Sequence, residues 1–245
     1  MKNDRFCDGN AMPEGLYVYR NVRTRGVWPM NMERTRELLC EASREIFGRN
    51  DVPDTDTLVR RTATLLKRGN YPAHALSYVT IRCFQSGETV ILGHDVLPYP
   101  HPGLRSLFPQ GAVVGFDVPF ERYPSSASEA MWALARIEAA RQGAQAVLRR
   151  DAGGLIVAAE ASPLFVVAGN GIVYPSSTPD SVEAEHALHA IAAAGLTAQK
   201  ADIDETMLAA ADEIFYADHR GITALHALGP RRCMHLTAER IAKQL

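Results

Sequence analysis

Two helical stripes, each with its own start and stop signal, are embedded among strand-like runs in the first half of the chain. That alternation excludes an all-helical bundle and an all-β sandwich and predicts an α/β fold. Leu38, Leu39, Ala42, Ile46 and Phe47 recur at helical spacing between a candidate N-cap at Asn31 and a stop at Gly48. Leu58, Val59, Ala63, Leu65 and Leu66 do the same between Asp54 and Gly69. Before them, residues 14–20 alternate like a half-buried strand. After them, 76–84 and 89–92 pair as a hairpin across Gln85-Ser86-Gly87. The proline-rich stretch 98–111 reads as irregular, and 111–118 is the next strand.

Residues 120–126, with Pro124, Ser125 and Ser126, read as a crossover. A long helix is predicted over 126–142, where Ser126 and Glu129 match a capping box and Gly143 stands just past the end. Strand runs 147–150 and 155–158 flank Asp151-Ala152-Gly153-Gly154, and 164–167 and 172–174 flank a tight-turn signal, Gly169-Asn170-Gly171. A helix at 181–194, a strand at 197–203, a short helix at 204–211, strands at 213–217 and 222–227 and a terminal helix follow. The expected organisation is a small α/β domain over 1–118, a crossover at 119–127 and a large domain with a barrel-like sheet over 128–245. Any site is expected in the cleft between them.

Composition narrows the partners. With 47% hydrophobic and 22% charged residues the chain is an ordinary globular one, and its formal charge of −2 supplies no positive field for nucleic acid or an anionic membrane. Cys7, Cys40, Cys83 and Cys233 lie far apart, without CxxC or zinc spacing. They read as reduced thiols, and no metal site is expected. No run approaches the ~18 apolar residues of a membrane span, and the start lacks an apolar signal segment, so a soluble cytoplasmic protein is expected.

The order of motifs resembles class IV aminotransferases, the fold type IV pyridoxal-phosphate (PLP) enzymes that include branched-chain and D-amino acid aminotransferases and aminodeoxychorismate lyase. The residues that carry the resemblance are Asp4-Arg5, Asp8-Gly9 and Pro13-Glu14-Gly15-Leu16, then Asn31-Met32-Glu33-Arg34 at the family's His-x-x-Arg. Downstream come Glu138-Ala139, Gly143 to Val147, Asp151, Gly154-Leu155, the Pro163–Val167 run and Gly171–Pro175. The most specific piece is Ala211-Asp212-Glu213-Ile214-Phe215, similar to the family's Ala-Asp-Glu-(Val/Ile)-Phe. The resemblance implies a two-domain D-amino acid aminotransferase-like architecture without the family's N-terminal hairpin, and a homodimer.

The departures fall on the cofactor set. The resemblance places a Schiff-base lysine roughly 27 residues before Asp151, which is Pro124, and residues 121–128 contain no lysine. The chain's lysines are Lys2, Lys67, Lys200 and Lys243. Ala158 stands where the family has the glutamate opposite the pyridine nitrogen, with Glu160 two residues on. The family's phosphate cup aligns with Ser181-Val182-Glu183 and with Asp218-His219-Arg220. Arg34 keeps the phosphate-binding arginine position. No cofactor-binding set is therefore expected, although PLP held atypically stays open as a reading.

What chemistry remains is sparse. Arg34 is either an anion clamp or a surface arginine among Glu33 and Glu37. Tyr78 and Arg82 alternate onto one face of a strand that resembles the one supplying substrate contacts. His219, beside Asp218 and Arg220, is the leading candidate general acid/base, with Tyr78 beside it as a catalytic candidate and Arg34, Arg82 and Arg220 as ligand-binding ones. His226 reads as a satisfied core or edge residue of a strand, and His94 and His101 merely flank the proline-rich loop. The leading expectation is a PLP-independent enzyme acting on a small anionic or amino-acid-like metabolite. A non-catalytic ligand-binding pseudoenzyme and a PLP enzyme with an atypical cofactor mode are the alternatives.

Overall fold

The computed structural model describes residues 7–8, 12–99, 101–105, 108–169 and 171–245. Lys2, Asp4, Arg5, Gly9 and Asn170, used above in motifs and turns, lie outside the described residues. The chain forms two compact units: 1–101 with 123–128, and 102–122 with 129–245.

In the first unit β1 (Tyr17–Arg25), β2 (Trp28–Pro29), β3 (Leu76–Phe84) and β4 (Thr89–Gly93) form an antiparallel sheet in the order β2-β1-β3-β4. Among the described residues no strand hairpin precedes β1. Helices α1 (Met32–Phe47) and α2 (Thr55–Arg68) lie between β2 and β3 in sequence. Asp54 caps α2 as its residue type dictates, accepting the Thr57 N–H at 2.8 Å. Asn31 caps α1 differently: its backbone is left-handed at φ 54 and its side chain makes no cap bond, a conformation asparagine tolerates. The apolar stripes of both helices, through Leu39, Leu58 and Leu66, pack on Val18, Val22, Val79 and Ile81 of the sheet. Full burial of one such leucine contributes about 1.5–3 kcal/mol. Cys40 and Cys83 share this core, and burial pushes the Cys83 thiol up to about 11.

The second unit holds two sheets. Their strands are β5 (Gly103–Leu104), β6 (Gln110–Gly115), β7 (Ala146–Arg150), β8 (Ile156–Ala159), β9 (Leu164–Ala168), β10 (Gly171–Pro175), β11 (Ala198–Ala201), β12 (Glu213–Asp218), β13 (Gly221–Ala224), β14 (Ala227–Leu228) and β15 (Arg231–Arg232). One sheet runs β11-β10-β9-β12-β13-β5, the other β15-β14-β6-β7-β8. Leu148 and Ile156 of the second meet Leu164, Val166 and Ile214 of the first in a shared core, with Leu225 from just past β13. The far face of the six-stranded sheet is covered by α4 (Val182–Ala193) and α6 (Leu236–Ala242), and a short α5 (Glu205–Ala210) follows β11.

The remaining helix, α3 (Ser126–Arg141), buries Trp132, Ala135 and Ala139 against Val147. Its opposite side exposes Ala130, Ala133, Leu134, Ile137 and Ala140, with Arg136 and Arg141 exposed among them. The capping box sits one residue earlier than expected. Ser125 and Ser128 exchange bonds, with the Ser125 N–H reaching the Ser128 hydroxyl at 2.8 Å and the Ser128 N–H the Ser125 hydroxyl at 3.3 Å. Ser126 instead accepts the Tyr17 N–H at 3.4 Å.

The expected division at 119–127 also differs from the observed units. Residues 102–118 join the second unit because β5 pairs with β13 and β6 with β7 and β14, all parallel and distant in sequence. Residues 123–128 belong with the first, where the Tyr19 N–H meets the Pro124 carbonyl at 3.0 Å and Tyr123 donates to Glu41 at 3.0 Å.

The Ala-Asp-Glu run is structural. Buried Glu213 accepts the Thr237 and Ala238 N–H groups at 2.7 and 2.9 Å, capping α6, while Asp212 accepts the Gly169 N–H at 2.7 Å. Glu213→Ala strands one buried and one half-buried donor and removes a charge that complements the helix dipole. The expected loss is about 2 kcal/mol in urea unfolding with an unchanged m-value.

Candidate functional site

Each unit carries one cluster of polar and aromatic groups. In the first unit, antiparallel register sets Tyr19 opposite Arg82, Asn21 opposite Thr80 and Arg23 opposite Tyr78. Strand alternation sends Val18, Val22, Val79 and Ile81 to the helices and turns this second set to the other face. There the Arg82 guanidinium lies over the Tyr17 ring, 4.3 Å from its centroid. The Tyr78 ring stacks on the His94 imidazole at 4.2 Å and 13°. The Thr80 hydroxyl donates to Asn21 Oδ1 at 2.7 Å and lies 2.8 Å from His94 Nε2. A hydroxyl has one proton, so with that proton on Asn21 the threonine oxygen accepts the His94 Nε2–H. Tyr78 and Arg82 thus do share a face, as alternation requires. His94, Thr80 and Asn21 were missed, because His94 reaches them only through the β3–β4 pairing. Arg34 stands in the first turn of α1 and pairs with Glu37 at 3.1 Å, its side chain 38% exposed.

The second unit's cluster is the β12–β13 hairpin, whose two turn residues are His219 and Arg220. Gly221 follows at φ +133, and a Cβ there would lie 2.4 Å from the Gly103 carbonyl oxygen, so only glycine lets β5 pair so closely. Asp218, its side chain 5% exposed, accepts the Arg220 N–H at 2.7 Å and is gripped by Nε at 2.9 Å and by Nη2 of the same residue. Arg105 Nη1 stands 3.8 Å away and is steadied by the Thr223 hydroxyl at 3.0 Å. Burial pushes the Asp218 carboxyl up, but the charges of His219, Arg220 and Arg105 and the Arg220 hydrogen bond outweigh it and hold its pKa below the ordinary 3.8.

The other positions singled out by the sequence have local partners. Ser181 caps α4, accepting the Ala184 N–H at 3.1 Å. Glu160, in a left-handed turn at φ 50, accepts the Val147 N–H and the Arg136 Nε, both at 2.8 Å. Lys67 and Lys200 are exposed, and Lys243, 70% exposed, pairs with Glu239. A separate depression of about 690 Å³ in the second unit is lined by Phe116, Asp117, Arg150, Asp151 and Glu205. Its charges serve the fold: Asp151 accepts the Leu155 N–H and Arg150 pairs with Glu205. Among the described residues no group of His, Cys, Asp and Glu could hold a metal ion, and no helix is long and apolar enough to cross a membrane.

Comparison with solved structures identifies the fold. A branched-chain aminotransferase from the thermophilic archaeon Thermoproteus uzoniensis, solved with norvaline, superimposes with a TM-score of 0.81 at 14% identity, over 98% of this chain and 92% of that one. An Escherichia coli branched-chain aminotransferase gives 0.78 at 16% identity, over 98% and 92%. A PLP-bound aminotransferase from Brucella abortus gives 0.78 at 14%, over 93% and 87%. The fold is that of the fold type IV aminotransferases. No family model matches the sequence, and no curated protein matches it either.

The depressed pKa of Asp218 makes a pH prediction. A carboxyl with its folded pKa below the unfolded one stabilises the fold above the unfolded value, and that contribution is lost as pH falls through the folded one. Asp218→Asn is therefore expected to show a constant stability deficit above about pH 5 that shrinks below about pH 4. Urea midpoints of variant and parent across pH 2.5–7 measure it.

Proposed function

We propose that this protein is an enzyme on a fold type IV scaffold that works without PLP, on a small anionic or amino-acid-like metabolite. The carrying observation is the position that the resemblance assigns to the Schiff-base lysine. Pro124 and its serine neighbours fill it, fastened by the Tyr19 bond to the Pro124 carbonyl and by the Ser125–Ser128 exchange. None of these groups forms an imine. The rest of the donor set does not fit the cofactor either. The Glu160 carboxylate is already used twice, Ser181 occupies the end of α4 and Asp218 takes the Arg220 N–H.

In this reading Arg34 and Arg82 hold the ligand's anionic group, each charge-assisted bond contributing roughly 1.5–3 kcal/mol where water is excluded. In the second unit His219 is the candidate for proton transfer, with Arg220 as the neighbouring cation, and Tyr78 is a further polar candidate in the first. A non-catalytic binding role is the second reading. The exposed apolar stripe of α3, with Leu134 and Ile137 at 60% and 53% exposure, supports a homodimer, the state the resemblance implies.

Purified protein incubated with PLP and reduced with borohydride is expected to carry no stoichiometric adduct on any one lysine and to show no aldimine band. A single modified lysine together with transaminase activity overturns the proposal. Pro124→Lys alone is expected to produce no transaminase. Against the small carboxylate that most raises the melting temperature in a ligand panel, Arg34→Ala is expected to weaken binding about tenfold or more. Where that ligand is turned over, His219→Ala is expected to lower kcat with the fold intact, and a wild-type rate removes His219 from the site. Sedimentation at micromolar concentration is expected to show a dimer.

A further inference from the structure

Arg149, on β7, is a buried cation with a surface partner. Its side chain is 3% exposed, and the carboxylate that touches it belongs to Glu121, itself 41% exposed. Phe116 supplies the rest of its surroundings: the carbonyl accepts Arg149 Nη1 at 3.4 Å, and the guanidinium carbon lies 5.9 Å from the ring centroid. The β7–β8 ladder shifts register between Arg149 and Arg150, and the two arginines part there. Arg150 goes outward to Glu205, with its side chain 45% exposed, while Arg149 is enclosed. A guanidinium so enclosed is costly without a counter-charge, so an anion must stay on it. The charges of Asp117 and Asp151 also favour the cation, but they bear alike on Glu121 and on any anion that takes its place.

The partner arrives on a strained turn. Pro119, Phe120, Glu121 and Arg122 are all exposed, and Phe120, 57% exposed, has φ 52. A left-handed backbone is unfavourable for a bulky side chain, and the ring wins little burial in return. The grip of Glu121 on Arg149 offsets that cost. Opening the turn relieves Phe120 and forfeits the ion pair, whereas a carboxylate from solution restores the pair without the strain. We propose that the turn at 119–122 is a displaceable lid, in which Glu121 stands in for the carboxylate of a small ligand that binds Arg149 beside Phe116 once the turn swings out. This site lies within the second unit and is independent of the roles assigned to Arg34 and Arg82. Because the internal carboxylate competes with the external one, apparent affinity scales with the fraction of open turn.

Trp132 reports on the site, since its ring meets the Phe116 ring edge to face at 5.1 Å, and Trp28→Phe removes the other tryptophan. In that background acetate is titrated against chloride at equal ionic strength and neutral pH, with Trp132 fluorescence and melting temperature as readouts. Glu121→Gln is expected to bind acetate about tenfold more tightly than the parent, because it vacates the cation. Phe120→Asn, which tolerates the left-handed backbone, is expected to hold the lid shut and bind several-fold more weakly. Adding Arg149→Met to Glu121→Gln is expected to abolish the response. A folded Glu121→Gln variant that binds no more tightly, or a double variant that still binds, overturns the proposal. If loss of Glu121 prevents folding, the parent and Phe120→Asn decide. Acetate, but not chloride, is expected to speed chymotrypsin cleavage of the parent after Phe120 several-fold, since binding frees the turn. Cleavage that acetate slows or leaves unchanged overturns the proposal, as does a Phe120→Asn variant that binds acetate as tightly as the parent.

Discussion

A single buried carboxylate ties the end of the chain to its central strand. Glu213 opens β12 and offers both oxygens to the first free N–H groups of α6. Those donors have no partner inside the helix, and burial keeps water from the Ala238 N–H. α6 in turn supplies Ala238, Ile241 and Ala242 to the core beneath β12 and β13. The hairpin that carries His219 and Arg220 is therefore set by a bond made at the other end of its first strand. This gives the Ala-Asp-Glu run a physical meaning independent of any cofactor. Asp212 fastens the β9 end and Glu213 fastens α6, so the run serves the framework.

The division between what the sequence disclosed and what it hid follows the range of the interaction. Asp54 with Thr57 and Ser181 with Ala184 are contacts within one turn of chain, and the residue types announced them. The β3–β4 hairpin was legible for the same reason. The parallel pairings of β5 with β13 and β6 with β14 were not, since two-residue strands carry no periodicity and their partners lie more than a hundred positions away. That is why 98–111 read as irregular and why 102–118 was grouped with the chain's first part, whereas its contacts lie with the second unit. The Ser125–Ser128 box was displaced by one residue because Ser125, Ser126 and Ser128 offer competing hydroxyls. Only the meeting of β1 with this segment, through Tyr17 and Tyr19, selects among them.

The candidate site shows the same split. Tyr78 and Arg82 could be placed on one face by counting in twos. Their occupations could not, because His94 and Tyr17 arrive from neighbouring strands. At the turn, Asp218-His219-Arg220 was read as an acid orienting a histidine. The structure turns that carboxylate to the arginine, where a fork of donors outbids a single imidazole nitrogen in number of bonds. Fold and chemistry thus separate here. The polar positions are free to take other partners, since few of them hold up the core.

The return of residues 123–128 to the first unit has a temporal side. During synthesis, Val18 and Tyr19 emerge early, but the segment they pair with, Pro124-Ser125, follows only after β5 and β6 have been made. Those two strands must themselves wait for β13 and β14, near the far end of the chain. Neither unit can close its sheet in the order in which it is translated. The nascent first unit therefore leaves the ribosome with one border of β1 unfinished, and the second keeps β5 unpaired, and one border of β6 open, until its last quarter appears. High contact order of this kind slows folding and lengthens the exposure of open strand edges. A chain cut between the units would inherit that open state permanently.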